Sequence, residues 1–400
     1  MAPALIFLLT YLVVAVGRLP LLRIDRTGAA IVGAILMVVA GGLSLDEAYR
    51  AIDYRTLILL FGMMVLVANL SLAGVFAALA RWTVLRVSRP VALLAVIVVT
   101  AGVLSALFVN DTICLVFTPV VLELADARGL SPLPLLIGLA TGANIGSVAT
   151  ITGNPQNMLI GSLSRISYAG FLARLGPVAL VGLALDIVIV GLVFRRDLQA
   201  ARTTAVTLPA RPLHRGLAIK SLLVSAGVLA GFLAGYDPAL VAMSGAAVLL
   251  VTRRVNPQKI SREIDWDLLT LFIGLFVVIG GVEHAGLDRR FFALLRPVGI
   301  ATVAGLSVVA ATLSNLVSNV PAVMLFTRLI PRLPDPHQAW LVLAMASTLA
   351  GNLTLVGSIA NLIVAQGASR RGIHVTFSDY LKVGVPITIC TITVGVFWLR

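Results

Sequence analysis

Long runs of apolar residues, separated by short polar segments, cover most of the 400-residue chain. A helix needs about 20 apolar residues to cross the hydrocarbon core of a bilayer. By this measure the pattern predicts ten membrane crossings, over residues 3–22, 27–44, 55–73, 133–160, 176–194, 217–235, 238–252, 267–285, 338–366 and 380–399. The chain is therefore predicted to be an all-α polytopic membrane protein.

Two further apolar stretches, at about 90–122 and 298–330, are too long for one crossing and carry polar residues at their centres, FVNDT and LVSNVP. A turn exposed to lipid would leave backbone N–H and C=O groups without partners, so such a segment must be buried in protein or line a cavity. Both stretches are predicted to be re-entrant helical hairpins, which enter and leave the membrane on the same side.

The second half of the chain repeats the first in order and in spacing. The matching segments are 53–74 with 265–286, 104–118 with 313–327, and 150–160 with 354–364, at offsets of 212, 209 and 204 residues. Each half then has five crossings and one hairpin, and because five is odd the second half begins on the opposite side of the membrane. We therefore predict two inverted repeats, residues 1–200 and 217–400, joined by a basic cytoplasmic linker at 201–216.

Composition agrees with this architecture, since 59% of the residues are hydrophobic and only 12% are charged. The formal net charge of +13 does not indicate nucleic-acid binding, because the basic residues lie singly or in pairs with no stripe interleaved with aromatics. If both termini are periplasmic, 20 of the 30 lysines and arginines face the cytoplasm, as the positive-inside bias requires. We expect a multi-pass protein of the bacterial inner membrane, with the lipid bilayer as its surroundings.

Polar residues recur at matching positions inside the apolar segments 133–160 and 338–366. Glycine and proline there weaken a continuous helix, and unwinding exposes carbonyls and helix ends to a ligand. Tight packing through small residues is the alternative, but it does not explain asparagines in both halves. We predict one broken helix per repeat. The candidate substrate- or ion-binding residues are Ser105, Asn110, Asp111, Thr112, Asn144, Gly146, Ser147, Thr150, Gly153, Asn154, Asn157, Ser314, Ser318, Asn319, Asn352, Thr354, Gly357, Ser358 and Asn361.

Two acidic residues are candidates for ion coupling. Asp111 is the only ionisable residue of its hairpin between Pro90 and Glu123, and an intramembrane carboxylate faces a cavity or a partner. Its alternative role is to cap the second helix of the hairpin. Asp186 lies near the middle of a predicted crossing, where it is either a proton site or a structural partner of a buried polar group.

Inverted repeats with discontinuous helices at matching positions are typical of secondary transporters. The chain has no GxxxxGK[ST] phosphate-binding loop and no soluble ATPase domain, and it lacks the HExxH, GxGD or Ser/His patterns of an intramembrane enzyme. Two distant cysteines and four scattered histidines give neither a disulfide framework nor a zinc site. We expect a transporter, not an enzyme, with no cofactor or metal other than a sodium ion.

The segments NDTICLVFTPVV, ITGNPQNMLIG, LSNLVSNVP and GNLTLVGSIANLIV resemble the paired motifs of the ion transporter superfamily. That group includes arsenite efflux pumps, sodium/proton antiporters, citrate carriers and divalent-anion/sodium symporters, and the arsenite-pump-like branch is the most similar. The dicarboxylate symporters carry Ser-Asn-Thr at both hairpin tips. Here the triplets are Val109-Asn110-Asp111 and Ser318-Asn319-Val320, so a carboxylate replaces one threonine and disfavours an anionic carboxylate substrate.

The resemblance implies a homodimer in which an elevator-like domain of hairpins and broken helices moves. We expect transport of a small inorganic anion or a metalloid oxyanion such as arsenite, coupled to a proton or sodium gradient. The excess of neutral asparagine, serine and threonine supports this expectation. Sodium/proton antiport stays open as the main alternative, and citrate or dicarboxylate transport as a less favoured one.

Overall fold

The computed structural model describes residues 2–19, 24–40, 42–87, 89–199, 212–251, 256–287, 293 and 296–400. These residues form 20 α-helices, and their β-structure is one short antiparallel pair, Arg18–Leu19 with Ile24–Asp25. The prediction of an all-α protein is therefore confirmed.

Eleven helices come from the first half of the chain. They are α1 (Ala2–Val16), α2 (Arg26–Val39), α3 (Leu45–Ala51), α4 (Tyr54–Leu72), α5 (Val75–Leu85), α6 (Pro90–Leu107), α7 (Asn110–Arg128), α8 (Leu133–Ser147), α9 (Pro155–Ser164), α10 (Tyr168–Val193) and α11 (Arg195–Gln199). A 3₁₀ turn, Ile151–Gly153, lies between α8 and α9.

Nine helices come from the described part of the second half. They are α12 (Arg215–Leu233), α13 (Pro238–Leu250), α14 (Pro257–Glu263), α15 (Trp266–His284), α16 (Val303–Val317), α17 (Asn319–Phe326), α18 (Pro336–Ala350), α19 (Ile359–Ser369) and α20 (Phe377–Trp398). Short 3₁₀ turns occur at Arg296–Val298 and Ile330–Arg332.

The two long helices α4 and α15 begin in the same way. Asp53 caps α4 by accepting a hydrogen bond from the Thr56 N–H at 2.8 Å, and Asp265 caps α15 by accepting one from the Leu268 N–H at 2.8 Å. An aspartate at this position satisfies one of the free N–H groups of the first turn and favours the positive end of the helix dipole. These aspartates fix where both helices start.

Six helices of the described chain are long and apolar enough to cross a membrane, namely α4, α6, α10, α12, α15 and α20. Outward-facing leucines on α1, such as Leu5, Leu8 and Leu12, are more than half exposed, as expected for a surface that contacts lipid. The chain is a polytopic membrane protein.

Other predicted crossings form shorter apolar helices, among them α1, α2, α8 and α13. Conversely, α6 alone is long enough to span the hydrocarbon, although we assigned it to a re-entrant hairpin. That α6 and α7 begin and end on the same side of the membrane stays a prediction. The number of crossings and the inversion of the second half stay predictions.

Helices from the two halves pack closely against each other in two corresponding places. A Cβ on Gly62 of α4 would lie 2.8 Å from the Ala242 backbone of α13, and a Cβ on Gly274 of α15 would lie 2.6 Å from the Ala30 backbone of α2. Both the two glycines and the two alanines are related by the same offset as the first pair of matching segments. Glycine at these points lets the helix backbones approach to direct contact.

Several predicted boundaries lie close to the helix ends. The first hairpin corresponds to α6 and α7, and the second to α16 and α17. The second hairpin begins at Val303, the start of α16, and not near residue 298. Residues 201–211 of the predicted linker lie outside the described residues, and the rest of the linker runs into α12, which begins at Arg215. The division into two repeats stays a prediction.

Candidate functional site

The first broken helix is interrupted between Ser147 and Pro155. Its second part, α9, begins with Asn154 at the N-cap, whose Oδ1 accepts a hydrogen bond from the Asn157 N–H at 2.9 Å. The Asn157 side-chain amide then donates to the carbonyls of Ser147 and Thr150, at 3.1 and 3.0 Å. The Thr150 carbonyl also accepts from the Gly153 N–H at 3.4 Å, and the Ser147 carbonyl from the Asn154 side-chain amide at 3.4 Å. The Asn157 amide thus bridges two carbonyls at the break, where regular helical bonding ends.

The second broken helix uses the same device. Ser358 caps α19 by accepting from the Ala360 N–H at 3.2 Å. The Asn361 side-chain amide donates to the carbonyls of Gly351 and Thr354, at 2.8 and 3.1 Å. In both halves the asparagine binds carbonyls ten and seven residues before it, so we call Asn157 and Asn361 the clamp asparagines.

Asn144 connects the two broken helices. Its side-chain amide donates to Oδ1 of Asn352 at 2.8 Å and to Oδ1 of Asn361 at 3.0 Å. Its own Oδ1 accepts from the Asn110 amide at 2.9 Å and from the Ser358 hydroxyl at 3.1 Å. Asn144 thus joins the first hairpin tip to the second broken helix, through a network whose members are all buried.

A reciprocal connection runs in the other direction. Thr348 is the counterpart of Asn144 by the offset that relates the two broken helices, and its hydroxyl lies 3.4 Å from Oδ1 of Asn157. The side-chain amides of Asn154 and Gln156 also reach the Thr348 hydroxyl, at 3.3 and 3.2 Å. Each half therefore extends a polar side chain to the clamp asparagine of the other half.

The hairpin tips carry buried polar atoms that have no hydrogen-bond partner among the described residues. They are Ser105 Oγ and Asn110 Oδ1 in the first half and Ser314 Oγ and Asn319 Oδ1 in the second. The two serines, and likewise the two asparagines, are equivalent by the offset that relates the hairpins. An unpaired buried polar atom costs free energy, so its recurrence at the same place in both halves points to a ligand that supplies the missing partner.

Asp111 and Thr112, in the first turn of α7, line a cavity of about 80 Å³ together with Glu263 and Asp265. The Asp111 carboxylate makes no hydrogen bond within the described part of the chain, and Val109 occupies the N-cap of α7 without a side-chain bond. Among the residues that the structure describes, no group of three or more His, Cys, Asp or Glu side chains could hold a metal ion. The cavity is acidic without being a metal cluster.

Three candidate glycines serve packing and tight turns. A Cβ on Gly146 would lie 2.1 Å from the Gly102 backbone, and one on Gly153 would lie 2.1 Å from the Ser147 carbonyl oxygen. A Cβ on Gly357 would lie 3.0 Å from the Gly351 carbonyl oxygen. Glycine at these positions keeps the hairpin arm and the loop in contact with the broken helix.

The remaining candidates hold the loops. Thr150 donates to the Ala106 carbonyl, and Ser147 donates to the Asn144 carbonyl at 2.8 Å and accepts from the Asn154 amide at 2.9 Å. Thr354 lies 3.3 Å from Oδ1 of Asn315. Ser318 adopts a φ of 75° at the junction of α16 and α17, a left-handed conformation that sharpens the second hairpin tip.

Asp186 lies apart from the hairpin tips, fully buried in α10. Its Oδ1 is 2.8 Å from the Thr141 hydroxyl, and its Oδ2 has no partner in the described chain. The Asn352 amide donates to the Thr141 carbonyl at 3.3 Å, so Thr141 lies between Asp186 and the Asn144 network.

Sequence reasoning missed several residues that build this region. Asn315 donates to the Ala311 and Ala350 carbonyls, at 3.1 and 2.9 Å. It stands in the same motif as the candidate Asn319, LSNLVSNVP, but is not among the predicted residues. Thr141 and Tyr380 carried no signal of their own, because nothing along the chain shows that they approach Asp186 or the clamp asparagines.

Comparison with known proteins matches this chain to transporters. The family model described as citrate transporter, CitMHS, matches residues 11–350. The silicon efflux transporter LSI3 of Oryza sativa subsp. japonica is 32% identical over 94% of this chain and 93% of its own length. A transporter of Dictyostelium discoideum named arsB is 25% identical over 94% of this chain and 87% of its own length.

A solved structure shares the fold. The YdaH transporter of Alcanivorax borkumensis, described as having an unusual topology, superposes with a TM-score of 0.60 at 15% sequence identity. The match covers 100% of this chain and 98% of that one.

Proposed function

This chain belongs to the citrate transporter family CitMHS and is a secondary transporter, and from that premise we propose that it exports a neutral metalloid hydroxide, arsenite or silicic acid, across the bacterial inner membrane. The proposal includes coupling to a proton or sodium gradient. It also includes two inverted repeats, which rest on the matching segments of the two halves. The periplasmic location of both termini is part of the proposal too, and it rests on the partition of basic residues.

The observation that carries the proposed substrate is the set of unpartnered atoms at the hairpin tips. The two asparagine Oδ1 atoms only accept hydrogen bonds, so their ligand must donate. A neutral hydroxide donates through its O–H groups, whereas a fully ionised oxyanion or carboxylate has no proton to give. The nearby Asp111 carboxylate would also repel an anion.

The relatives' names agree with this chemistry. One relative is named for silicon efflux and another as arsB, and both align along nearly the whole of this chain. Arsenite and silicic acid are both small neutral polyhydroxy compounds at neutral pH. The family description names citrate, which the acceptor-only atoms and Asp111 do not favour.

The hydrogen bonds also support an elevator-type motion. Asn144 and Thr348 tie each broken helix to the clamp asparagine of the other, so the two broken helices and their hairpins can move as one unit. The close contacts of α4 with α13 and of α15 with α2 then supply the stationary scaffold. Resemblance to the superfamily adds a homodimer to the proposal.

Sodium/proton antiport is the second candidate, and the acidic cavity favours it. Asp111, Glu263 and Asp265 concentrate negative charge around a small cavity, which attracts cations and repels anions. A cation would also satisfy the acceptor-only Oδ1 atoms. In the first candidate the same cavity admits the driving cation.

The two candidates are separated by flux measurements in proteoliposomes. The panel is arsenite, silicic acid, phosphate, sulfate, citrate and sodium, each with a pH gradient, a sodium gradient or neither. We expect arsenite or silicic acid to be accumulated only with an ion gradient, and phosphate, sulfate and citrate to stay at the level of empty liposomes. Sodium flux driven by pH without any metalloid flux would establish antiport instead.

Asp111→Asn tests the coupling role within the same assay. It removes the charge without changing the shape, and since Asp111 does not cap α7, no hydrogen bond of the described structure is lost. We expect the ratio of gradient-driven accumulation to substrate exchange to fall by about tenfold or more, the scale of a coupling free energy between two sites. An unchanged ratio with unchanged pH and sodium dependence would place the coupling elsewhere.

A further inference from the structure

The contact between Asp186 and Thr141 is a buried acid–hydroxyl pair that the proposed function does not use. Asp186 is 0% exposed, and within the described residues no lysine, arginine or histidine forms a salt bridge with it. A charged carboxylate at membrane depth without a cation is costly, and such residues mark ion or proton sites. The bland alternative is that Asp186 only anchors α10 to α8.

The geometry at Thr141 bears on these two roles. The Thr141 Oγ1 lies 2.8 Å from Oδ1 of Asp186 and also 2.8 Å from the Ile137 carbonyl oxygen. A hydroxyl has one proton to donate and can accept. If Asp186 is ionised, the hydroxyl donates to the carboxylate. If Asp186 is protonated, the carboxyl donates to the hydroxyl, which then donates to the Ile137 carbonyl. Both arrangements fit the same positions of the heavy atoms.

One further buried hydroxyl, Thr388 Oγ1 of α20, has no partner in the described structure, and neither does Oδ2 of Asp186. The titratable side chain near Asp186 is Tyr380 of α20, which also lies near Cys114 of α7. The helices α6 and α8, which also pack against α10, contain no Asp, Glu, His, Lys or Arg. The helices α12 and α18 contact α10 as well, and their titratable residues, Arg215, Lys220 and His337, lie near the starts of those helices. Asp186 is thus a single acid among hydroxyls, with spare donors and acceptors around it.

The second half of the chain lacks this pair. Pro177 inside α10 and Pro386 inside α20 match at an offset of 209 residues, by which Asp186 corresponds to Gly395. By the offset of the broken helices, Thr141 corresponds to Met345. The corresponding helices touch at the same point, since a Cβ on Gly395 would lie 2.6 Å from the Met345 sulfur. Glycine and methionine pack α20 against α18 without any polar group. Packing therefore does not require an acid here, and the first half has one for another reason.

We propose that Asp186 and Thr141 form an intramembrane proton-binding site, separate from Asp111, and that the proton bound there is coupled to transport alongside the cation admitted by the Asp111 cavity. The second part rests on the proposed function of this chain as a transporter. Protonation reverses the direction of the hydrogen bond at Thr141. The Asn352 side-chain N–H donates to the Thr141 carbonyl, and Oδ1 of Asn352 accepts from the Asn144 amide. The proton site is therefore adjacent to the hydrogen-bond network around Asn144.

The proton site is tested first without any substrate. Infrared spectra of the purified protein in liposomes are recorded across pH for the wild type, Asp186→Asn and Thr141→Val. We expect a carboxylic C=O band that titrates, that is missing in Asp186→Asn, and that shifts in frequency in Thr141→Val because its hydrogen bond is lost. Thr391→Val is the matched control, since Thr391 is equally buried but bonds only carbonyls of its own helix, and it should leave the band unchanged.

Coupling is tested next by flux. In Asp186→Asn the ratio of pH-gradient-driven accumulation to exchange should fall by about tenfold or more, while Thr391→Val keeps the wild-type ratio. A band that does not titrate, or that persists in Asp186→Asn, would overturn the proton site. A wild-type ratio and pH dependence in Asp186→Asn would overturn its coupling role. If the wild type moves no metalloid, the proposed substrate fails, and the infrared result still decides the proton site.

Discussion

The two halves of the chain hold their broken helices against their hairpins in different ways. In the first half Gly102 and Gly146 bring the backbones of α6 and α8 into direct contact, and Ala106 follows one turn later on α6. In the second half the corresponding residues are Ala311, Ala350 and Asn315. There the Asn315 amide bridges the Ala311 and Ala350 carbonyls at 3.1 and 2.9 Å. The backbones of α6 and α8 touch directly because both residues at the contact are glycines, whereas α16 and α18 are joined by the side-chain amide of Asn315.

The same comparison separates the shared chemistry from the chemistry of one half. The clamp asparagines, the helix-capping aspartates and the unpartnered tip atoms occur in both halves. The intramembrane carboxylates Asp111 and Asp186 occur only in the first, opposite Val320 and Gly395. Symmetric features suit a substrate held between the halves, and asymmetric acids suit an ion that binds once. The architecture thus separates holding the substrate from coupling it to an ion.

The largest effect is expected for Gly146→Ala. The added Cβ would lie 2.1 to 2.4 Å from the Gly102 backbone, which cannot give way as a flexible side chain can. We expect a loss of about 3 kcal/mol or more, at the upper end for overpacked sites. The measurement is thermal unfolding in detergent, followed by fluorescence-detected size exclusion.

Two variants sharpen that comparison. Ala350→Gly makes the second half resemble the first and should cost only the helix penalty of glycine, about 1 kcal/mol. Gly191→Ala, where a Cβ meets nothing within 4 Å, should be neutral or slightly stabilising. If Gly146→Ala is as stable as Gly191→Ala, the direct backbone contact does not hold the first interface.

A smaller and equal effect is expected for the clamp asparagines. Asn157→Ala and Asn361→Ala each remove the side-chain donor of two buried carbonyls, of which those of Thr150 and Thr354 keep a turn hydrogen bond from the Gly153 and Gly357 N–H groups. We expect each variant to cost about 1–3 kcal/mol, chiefly through the Ser147 and Gly351 carbonyls. Because the two clamps bind carbonyls at the same spacing, the two losses of melting temperature should be similar. Unequal losses would show that only one of the broken helices depends on its clamp.

Asn69→Ala is the matched control for both clamps. Asn69 is also buried, but its amide donates at 2.8 Å to the Val65 carbonyl of its own helix, four residues earlier. Losing Asn69 removes one bond to a carbonyl inside a regular helix, whereas losing a clamp removes two bonds at a helix break, so Asn69→Ala should cost less. A clamp variant as stable as Asn69→Ala would contradict the role assigned to the clamps.

Much of this frame is visible in the sequence. Apolar runs with polar centres predict the hairpins, and Gly, Asn and Pro inside an apolar segment predict the break between Ser147 and Pro155. The repeat offsets show that Asn157 and Asn361 are equivalent. Such features follow from local chemistry, because an unwound segment at membrane depth needs polar groups nearby.

The contacts between the halves could not be predicted. No pattern along the chain shows that Asn144 reaches Asn352 and Asn361 in the other half, because that depends on how two finished halves pack. For the same reason the packing of Gly146 against the Gly102 backbone could not be predicted, and its role in binding stays a prediction. Asp186 was recognised from its depth in an apolar run, but Thr141 and Tyr380 become visible only in three dimensions.

The smallest effect on stability, and the most direct test of the shared site, is expected for Ser105→Ala and Ser314→Ala. Neither hydroxyl has a partner in the described structure, so removing it breaks no hydrogen bond of the protein. The melting temperature should stay near the wild-type value, because truncating an unsatisfied polar group is close to neutral.

If these oxygens contact substrate, each variant should instead weaken arsenite or silicic acid binding by about tenfold, the size of one lost hydrogen bond. Ser307→Ala is the control, since Ser307 is buried on the same helix as Ser314 but donates to the Val303 carbonyl at 2.7 Å. Ligand-induced stabilisation reads out both properties in one experiment. Equal weakening by the two variants would place the substrate between the halves, and weakening by one alone would assign it to that half. Wild-type binding in both variants would show that the two serine hydroxyls do not contact the substrate and would contradict a ligand that pairs all four tip atoms.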